Sequence, residues 1–93
     1  MAVDLEFDLG KRARTLIERD LDFARAGEIF AGPTLTRRDE REDYGEDRYI
    51  TVGLLDAGMV VVVWTPRGET RRRIISLRKA NAREEKRYAK SLG

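Results

Sequence analysis

The chain reads as an α+β fold: a small antiparallel sheet packed by two N-terminal helices, with a basic C-terminal helix. Three observations predict it. Two segments of helical periodicity, each opened by an aspartate, fill residues 8–32. Runs of strand character joined by short turn signals fill residues 49–77. An Asn81-to-Glu84 capping pattern then opens a last, highly charged helix. Helices and strands segregated in this way build a layered domain, and a sheet with its helices on one face is the economical solution.

Each element follows from its residues. Val3-Asp4-Leu5-Glu6-Phe7 alternates apolar and polar side chains, the pattern of a short half-buried strand. Asp8 offers an N-cap oxygen, and Leu9, Ala13, Leu16 and Ile17 form the apolar stripe of a first helix, with Lys11, Arg12 and Arg14 on its other faces. Asp22 caps a second helix whose stripe is Phe23, Ala26 and Phe30, with Ile29 beside it. Gly32-Pro33 ends that helix, the glycine by accepting left-handed geometry and the proline by refusing to continue. Thr34 to Asp47 is polar and acid-rich, a long connection with a short strand near Leu35. Tyr49 to Leu55 is a strand, Asp56-Ala57-Gly58 turns the chain, and Met59 to Thr65 (MVVVVWT) is the strongest strand. Its continuous apolar run marks a central strand covered on both faces. Pro66-Arg67-Gly68-Glu69 makes the next turn. Thr70 to Leu77 forms a third strand, with Ile75 and Leu77 on the face shared by Arg71 and Arg73. The final helix spans roughly 82–92, with only Ala82, Tyr88, Ala89 and Leu92 as apolar contacts.

Composition narrows the chemistry. Ninety-three residues suit one domain, 1–93, that buries roughly 60–70% of the surface its unfolded chain exposes. There is no cysteine and no histidine. Disulfides, thiol nucleophiles and Ser–His or Cys–His pairs are therefore excluded, and zinc, haem and iron–sulfur groups lose their usual ligands. No metal and no cofactor is expected. No apolar run approaches the ~20 residues of a membrane span, and the acidic start MAVDLEFD is unlike a signal peptide, so a cytoplasmic protein with no membrane partner is expected. The net charge of +2 hides a separation: residues 1–65 hold nine basic and fourteen acidic side chains, whereas residues 66–93 hold ten basic and three acidic. A basic end of this kind suits a polyanion, although two halves neutralising each other across a fold give the same total.

Four stretches resemble a known family. Leu5-Glu6-Phe7-Asp8-Leu9-Gly10-Lys11 resembles the opening motif of the BrnT toxins: an aromatic, any residue, Trp, Asp, two residues and Lys, with Phe7 here in place of the Trp. Asp43-Tyr44-Gly45-Glu46-Asp47-Arg48-Tyr49 is similar to the family's Gly-Glu-x-Arg element entering a strand, and Trp64-Thr65-Pro66-Arg67-Gly68-Glu69 to its strand-ending Tyr/Trp-Thr-x-Arg-Gly. Arg73-Ile74-Ile75-Ser76-Leu77-Arg78-Lys79-Ala80, followed by Glu84 and Tyr88, is similar to its most distinctive block. The four occur in order at family-like spacing over almost the whole chain. Where the family commonly reads Lys, three residues, Asn, three residues, His and Gly, this chain has Lys11, Thr15, Arg19 and Asp20.

The resemblance implies the toxin of a type II toxin–antitoxin pair with a RelE-like ribonuclease fold, which cleaves RNA and arrests growth. Its partner would be a ribbon–helix–helix antitoxin, and operator DNA would be bound only through that antitoxin. Metal-free RNA cleavage needs the 2′-hydroxyl deprotonated, the phosphorane charge stabilised and the leaving oxygen protonated. Arginine suits the second task through its planar fork of donors. The resemblance points to Lys11, Arg48, Arg73 and Arg78, with Arg19 as a charge stabiliser in the position of the histidine. Glu46, or with less support Tyr49, is the candidate base. Arg67, Arg71 and Lys79 are candidate RNA or phosphate contacts.

Each assignment has a structural rival. Lys11 fits the solvated face of a helix, Glu46 and Arg48 an ion pair at a strand entrance, and Arg71 to Arg73 a protected strand edge. Arg83, Lys86, Arg87 and Lys90 fit a solvated helix or an antitoxin contact. Phe23, Phe30, Ile50, Val61, Val63 and Ile75 read as core, and so does Trp64, although an aromatic at a strand end also suits base stacking. Two other functions fit the residues: a catalytically impaired homologue serving as a protein partner in an antitoxin–operator complex, and a stand-alone RNA-binding module.

Overall fold

The computed structural model describes residues 3–92. The elements are β1 (Asp4–Phe7), α1 (Leu9–Arg19), a 3₁₀ turn (Phe23–Arg25), α2 (Ala26–Ala31), β2 (Leu35–Arg38), β3 (Tyr49–Leu55), β4 (Gly58–Arg67), β5 (Arg71–Lys79) and α3 (Ala82–Leu92). The strands form one five-stranded sheet in the order β1-β5-β4-β3-β2. β2 to β5 are antiparallel neighbours, but β1 pairs with β5 in parallel, so the sheet is mixed rather than antiparallel throughout. No hairpin ties β1 to β5; about two-thirds of the chain separates them, which leaves the parallel orientation open.

The apolar run of β4 is explained by burial from Val60 to Thr65, as expected of a central strand. Alternate residues serve two cores. On one face Phe23, Ala26 and Ile29 pack on Leu55, Val60, Val62, Trp64, Ile74 and Leu77. On the other, Tyr88 and Leu92 of α3 cover Ile50, Val52, Val61 and Val63. The helices therefore lie on both faces, not one. Both sides of β3 and β4 are apolar, and neither can be left in water.

The first helix departs most from expectation. Asp8 caps it, accepting from Lys11 N at 2.9 Å, but none of its residues is buried, and Leu9 and Ile17 are 72% and 84% exposed. Its apolar stripe faces outward. What fastens α1 is polar: Arg12 bonds both carboxylate oxygens of Asp22 (2.7 and 3.1 Å), and Arg19 Nη1 donates to the Leu77 carbonyl at 3.0 Å. Leu77 lies on β5 beyond the stretch paired with β1, so Arg19 supplies a donor to backbone that the short β1 does not reach.

Asp22 opens the second helical segment, accepting from Ala24 N, but its first turn is 3₁₀ and α2 proper has six residues. Gly32 ends it in extended geometry (φ −100°), not the left-handed conformation expected, and the next residue, Pro33, favours extended backbone before it. The β3–β4 hairpin closes through Asp56 and Ala57, both at positive φ (51° and 63°), with Leu55 opposite Gly58. β4 runs on through Pro66 and Arg67, so the following turn is Gly68 to Thr70, and β5 starts at Arg71. A bulge sets Val63 opposite Ser76 but Trp64 opposite Ile74, leaving Ile75 without a partner across the strands. Ile75 keeps to the α3 face, whereas Leu77 is turned to the other core, against the strict alternation expected. The capping box of α3 forms as read: Asn81 N donates to Glu84 (2.9 Å), and Glu84 N donates to the Asn81 side chain (2.8 Å).

Candidate functional site

At one end of the sheet the start of β3, the end of β4, the start of β5 and all of β1 come together. The cross-strand partners are Glu6 with Arg73, Thr65 with Arg73, and Arg67 with Arg71. Like charges directly opposite, as in the last pair, repel. Glu6 lies among them and removes the conflict. It accepts from Arg73 Nη1 at 2.9 Å, with Arg67 and Arg71 each at 3.7 Å. The Arg73 hydrogen bond, helped by the charges of all three arginines, holds the Glu6 carboxyl below its ordinary pKa against the desolvation that would raise it.

A second carboxylate extends the cluster. Glu46 accepts from Arg48 Nε at 2.9 Å and lies 3.5 Å from Arg67 Nη2, so Arg67 bridges the two glutamates. The Arg48 guanidinium stands 4.1 Å over the Tyr44 ring. The connection carrying Glu46 is fastened at Asp47, the next residue. Thr65 Oγ1 donates to the Asp47 carbonyl, and Arg38 pairs with the Asp47 carboxylate at 2.7 Å. Further back, the buried Asp39 carboxylate grips Arg41 through two 2.7 Å bonds, which push its pKa down to about 2. Four arginines with two glutamates leave two positive charges on a half-exposed rim. Such a rim can hold the equatorial oxygens of a phosphate, with a carboxylate alongside.

Five of the ten residues singled out in the sequence, Glu46, Arg48, Arg67, Arg71 and Arg73, meet in this cluster; the other five do not join its ion pairs. Lys11 and Arg19 lie on α1 and line a separate cleft of about 260 Å³ with Arg14, Glu18, Ile75 and Ser76. Arg78 is held by Glu84 in two bonds of 2.7 and 2.8 Å at the start of α3, and that pairing pushes Glu84 down to about 2. Lys79 lines a larger cleft of about 590 Å³ with Leu16, Asp20, Arg25, Asp56 and Met59. Tyr49 is half-buried and stacks on Trp64 at 5.0 Å. Trp64 is buried and donates Nε1–H to Thr51 at 2.8 Å, in keeping with its reading as core.

Glu6 is the cluster residue that sequence reasoning did not name. Its signal was faint, a charged residue between Leu5 and Phe7 in a strand whose partner could not be read from local pattern.

A family model described as the ribonuclease toxin BrnT of type II toxin–antitoxin systems matches residues 7–84. Among solved structures, the crystal structure of the ribonuclease toxin BrnT from Brucella abortus superposes with a TM-score of 0.65 at 23% identity, covering 85% of this chain and 97% of that one. At that identity the likeness is one of fold. No curated protein sequence matches the chain.

Proposed function

Because the chain belongs to the BrnT family of type II toxin–antitoxin ribonuclease toxins, we propose that it is a metal-independent endoribonuclease of RelE-like type. On this reading it arrests growth when unopposed and is neutralised by a ribbon–helix–helix antitoxin, through which the pair reaches operator DNA. The observation that carries the reading is the rim of Arg48, Arg67, Arg71 and Arg73 around Glu6 and Glu46.

The chemistry follows from what these side chains can and cannot do. A carboxylate, best Glu46, takes the 2′-hydroxyl proton. The 2′-oxygen attacks the adjacent phosphorus, and the charge that grows on the non-bridging oxygens falls among guanidinium groups that stay protonated throughout. The P–O5′ bond breaks to leave a cyclic phosphate, and the 5′-oxygen takes its proton from water at the open rim. No histidine or cysteine exists to hold zinc, and the arginines supply the positive charge that a metal would otherwise contribute. Lys11 lines the α1 cleft beside Ile75, two residues along β5 from Arg73, and serves there as a further backbone contact for the RNA.

One observation favours the second reading, a homologue kept as an antitoxin partner with its catalysis impaired. Arg19, in the position of the family's histidine, already donates to the Leu77 carbonyl. Inducing the chain in a bacterial host with and without its neighbouring gene separates the two. Growth arrest relieved by the neighbour supports the toxin. Normal growth with soluble, folded protein supports the impaired partner, and Arg19→His should then restore no toxicity.

A further inference from the structure

Across the β4–β5 turn from the arginine rim lies a pocket of about 430 Å³, walled by Tyr49, Trp64, Pro66, Thr70, Arg71 and Arg72. Arg72 differs from its neighbours in the triple-arginine run. It faces the α2 side of the sheet and forms no ion pair or hydrogen bond among the described residues. Its guanidinium is packed 4.3 Å from the Trp64 ring centroid and 4.5 Å from that of Phe30. A guanidinium held by its face keeps its in-plane N–H fork free for an acceptor. Half-buried and immobilised on two rings, it has little rotamer freedom left to lose on binding. Beside it the half-buried Tyr49 ring lies nearly parallel to Trp64, at 29°. The pocket thus joins an aromatic platform to an unpaired, pre-positioned cation, and its volume is within the range of small-ligand sites. Glu69 also lines it, and its carboxylate disfavours a bare anion relative to a ligand that brings a ring as well. Arg71 both lines the pocket and approaches Glu6 at 3.7 Å, so one strand joins this pocket to the rim.

We propose that this pocket binds one nucleotide of single-stranded RNA, its base stacked on Tyr49 and its phosphate forked by Arg72, as a subsite beside the arginine rim. The proposal rests on reading the chain as an RNA-cutting enzyme and adds a second point of grip on the strand. Stacking on an aromatic accepts any base, so the subsite contributes affinity rather than sequence preference.

Trp64 is the only tryptophan, which makes its fluorescence a reporter of this pocket. The full chain is titrated with adenosine 5′-monophosphate, adenosine and inorganic phosphate, and separately assayed for cleavage of a short RNA. The mononucleotide should change the emission saturably and bind at least about ten-fold more tightly than either fragment. Tyr49→Leu and Arg72→Met should each weaken it about ten-fold. Arg72→Lys keeps the charge but loses the planar fork, and should fall between. On RNA, Arg72→Met should raise KM with kcat nearly unchanged. Emission that does not respond, phosphate binding as tightly as the nucleotide, or folded variants that bind like the parent would overturn the subsite. RNA cleavage without a nucleotide response removes the pocket and leaves the enzyme; nucleotide binding without cleavage removes the enzyme and leaves the pocket.

Discussion

At the scale of single residues, arginine–carboxylate pairs tie one element to the next: Arg12 to Asp22, Arg25 to Asp56 and Arg78 to Glu84. Arg78 shows how one side chain serves a structural end. It forks Glu84, which also caps α3, so the strand and the helix are joined through one carboxylate. Glu84 and Asp39 are both pushed down to about 2, from ordinary values of 4.5 and 3.8, chiefly by the hydrogen bonds of Arg78 and Arg41. Each carboxyl therefore takes up its proton at lower pH in the folded chain than in the unfolded one. Their stabilisation is complete above about pH 5 and lost as the pH falls toward 2. The melting temperature should decline through that window, and Glu84→Gln should flatten the decline while lowering stability at pH 7. An unchanged acid limb in the variant would show that the pair contributes nothing. Arg78 stands out in the sequence from its place in the motif, but its pairing with Glu84 does not. The capping box that places Glu84 beside Asn81 could be read locally; the reach of Arg78 across to it could not.

At the scale of elements, two sites carry testable backbone chemistry. The β3–β4 hairpin needs positive φ at Asp56 and Ala57, a turn that favours glycine in the second position, yet the glycine of this sequence stands one place later at Gly58. Ala57→Gly should relieve the strain and stabilise by about 0.5–1 kcal/mol, raising Tm by about 2–8 °C. A lower Tm would contradict the turn assignment. Gly53 is the opposite case. A Cβ there would lie 2.6 Å from Ile29 Cγ2, against a fully buried side chain of α2. Gly53→Ala should cost about 1–3 kcal/mol in denaturant unfolding, because α2 must lift from β3; a neutral result would mean that α2 packs elsewhere. The hairpin, the central strand and the capping box were legible because each is a local pattern. The exposed face of α1 was not, since helical periodicity shows that a stripe exists but not which way it turns. One ion pair and one carbonyl contact hold α1 in place, so Ile17→Ser should change stability by less than about 0.5 kcal/mol.

At the scale of the molecule, the charge separation along the chain does not become two halves of a folded surface. The acidic Glu6 and Glu46, from the first two-thirds, sit among Arg67, Arg71 and Arg73 from the last third. The rim is therefore assembled by topology: parallel pairing of β1 with β5 delivers Glu6, and antiparallel pairing of β4 with β5 delivers three arginines. That assembly explains why five members of the cluster stand out in the sequence while Glu6 does not, and why Lys11, Arg19, Arg78 and Lys79 stand outside the cluster. Spacing along a chain locates residues on elements; only pairing brings elements together. If this rim cuts RNA without metal, as proposed, cleavage of a defined RNA by the purified chain survives excess EDTA. Cleavage should persist in EDTA and fall about 10²–10³-fold in Arg73→Met, with the variant still folded. Cleavage abolished by EDTA and restored by a divalent ion, or undiminished in Arg73→Met, would contradict it.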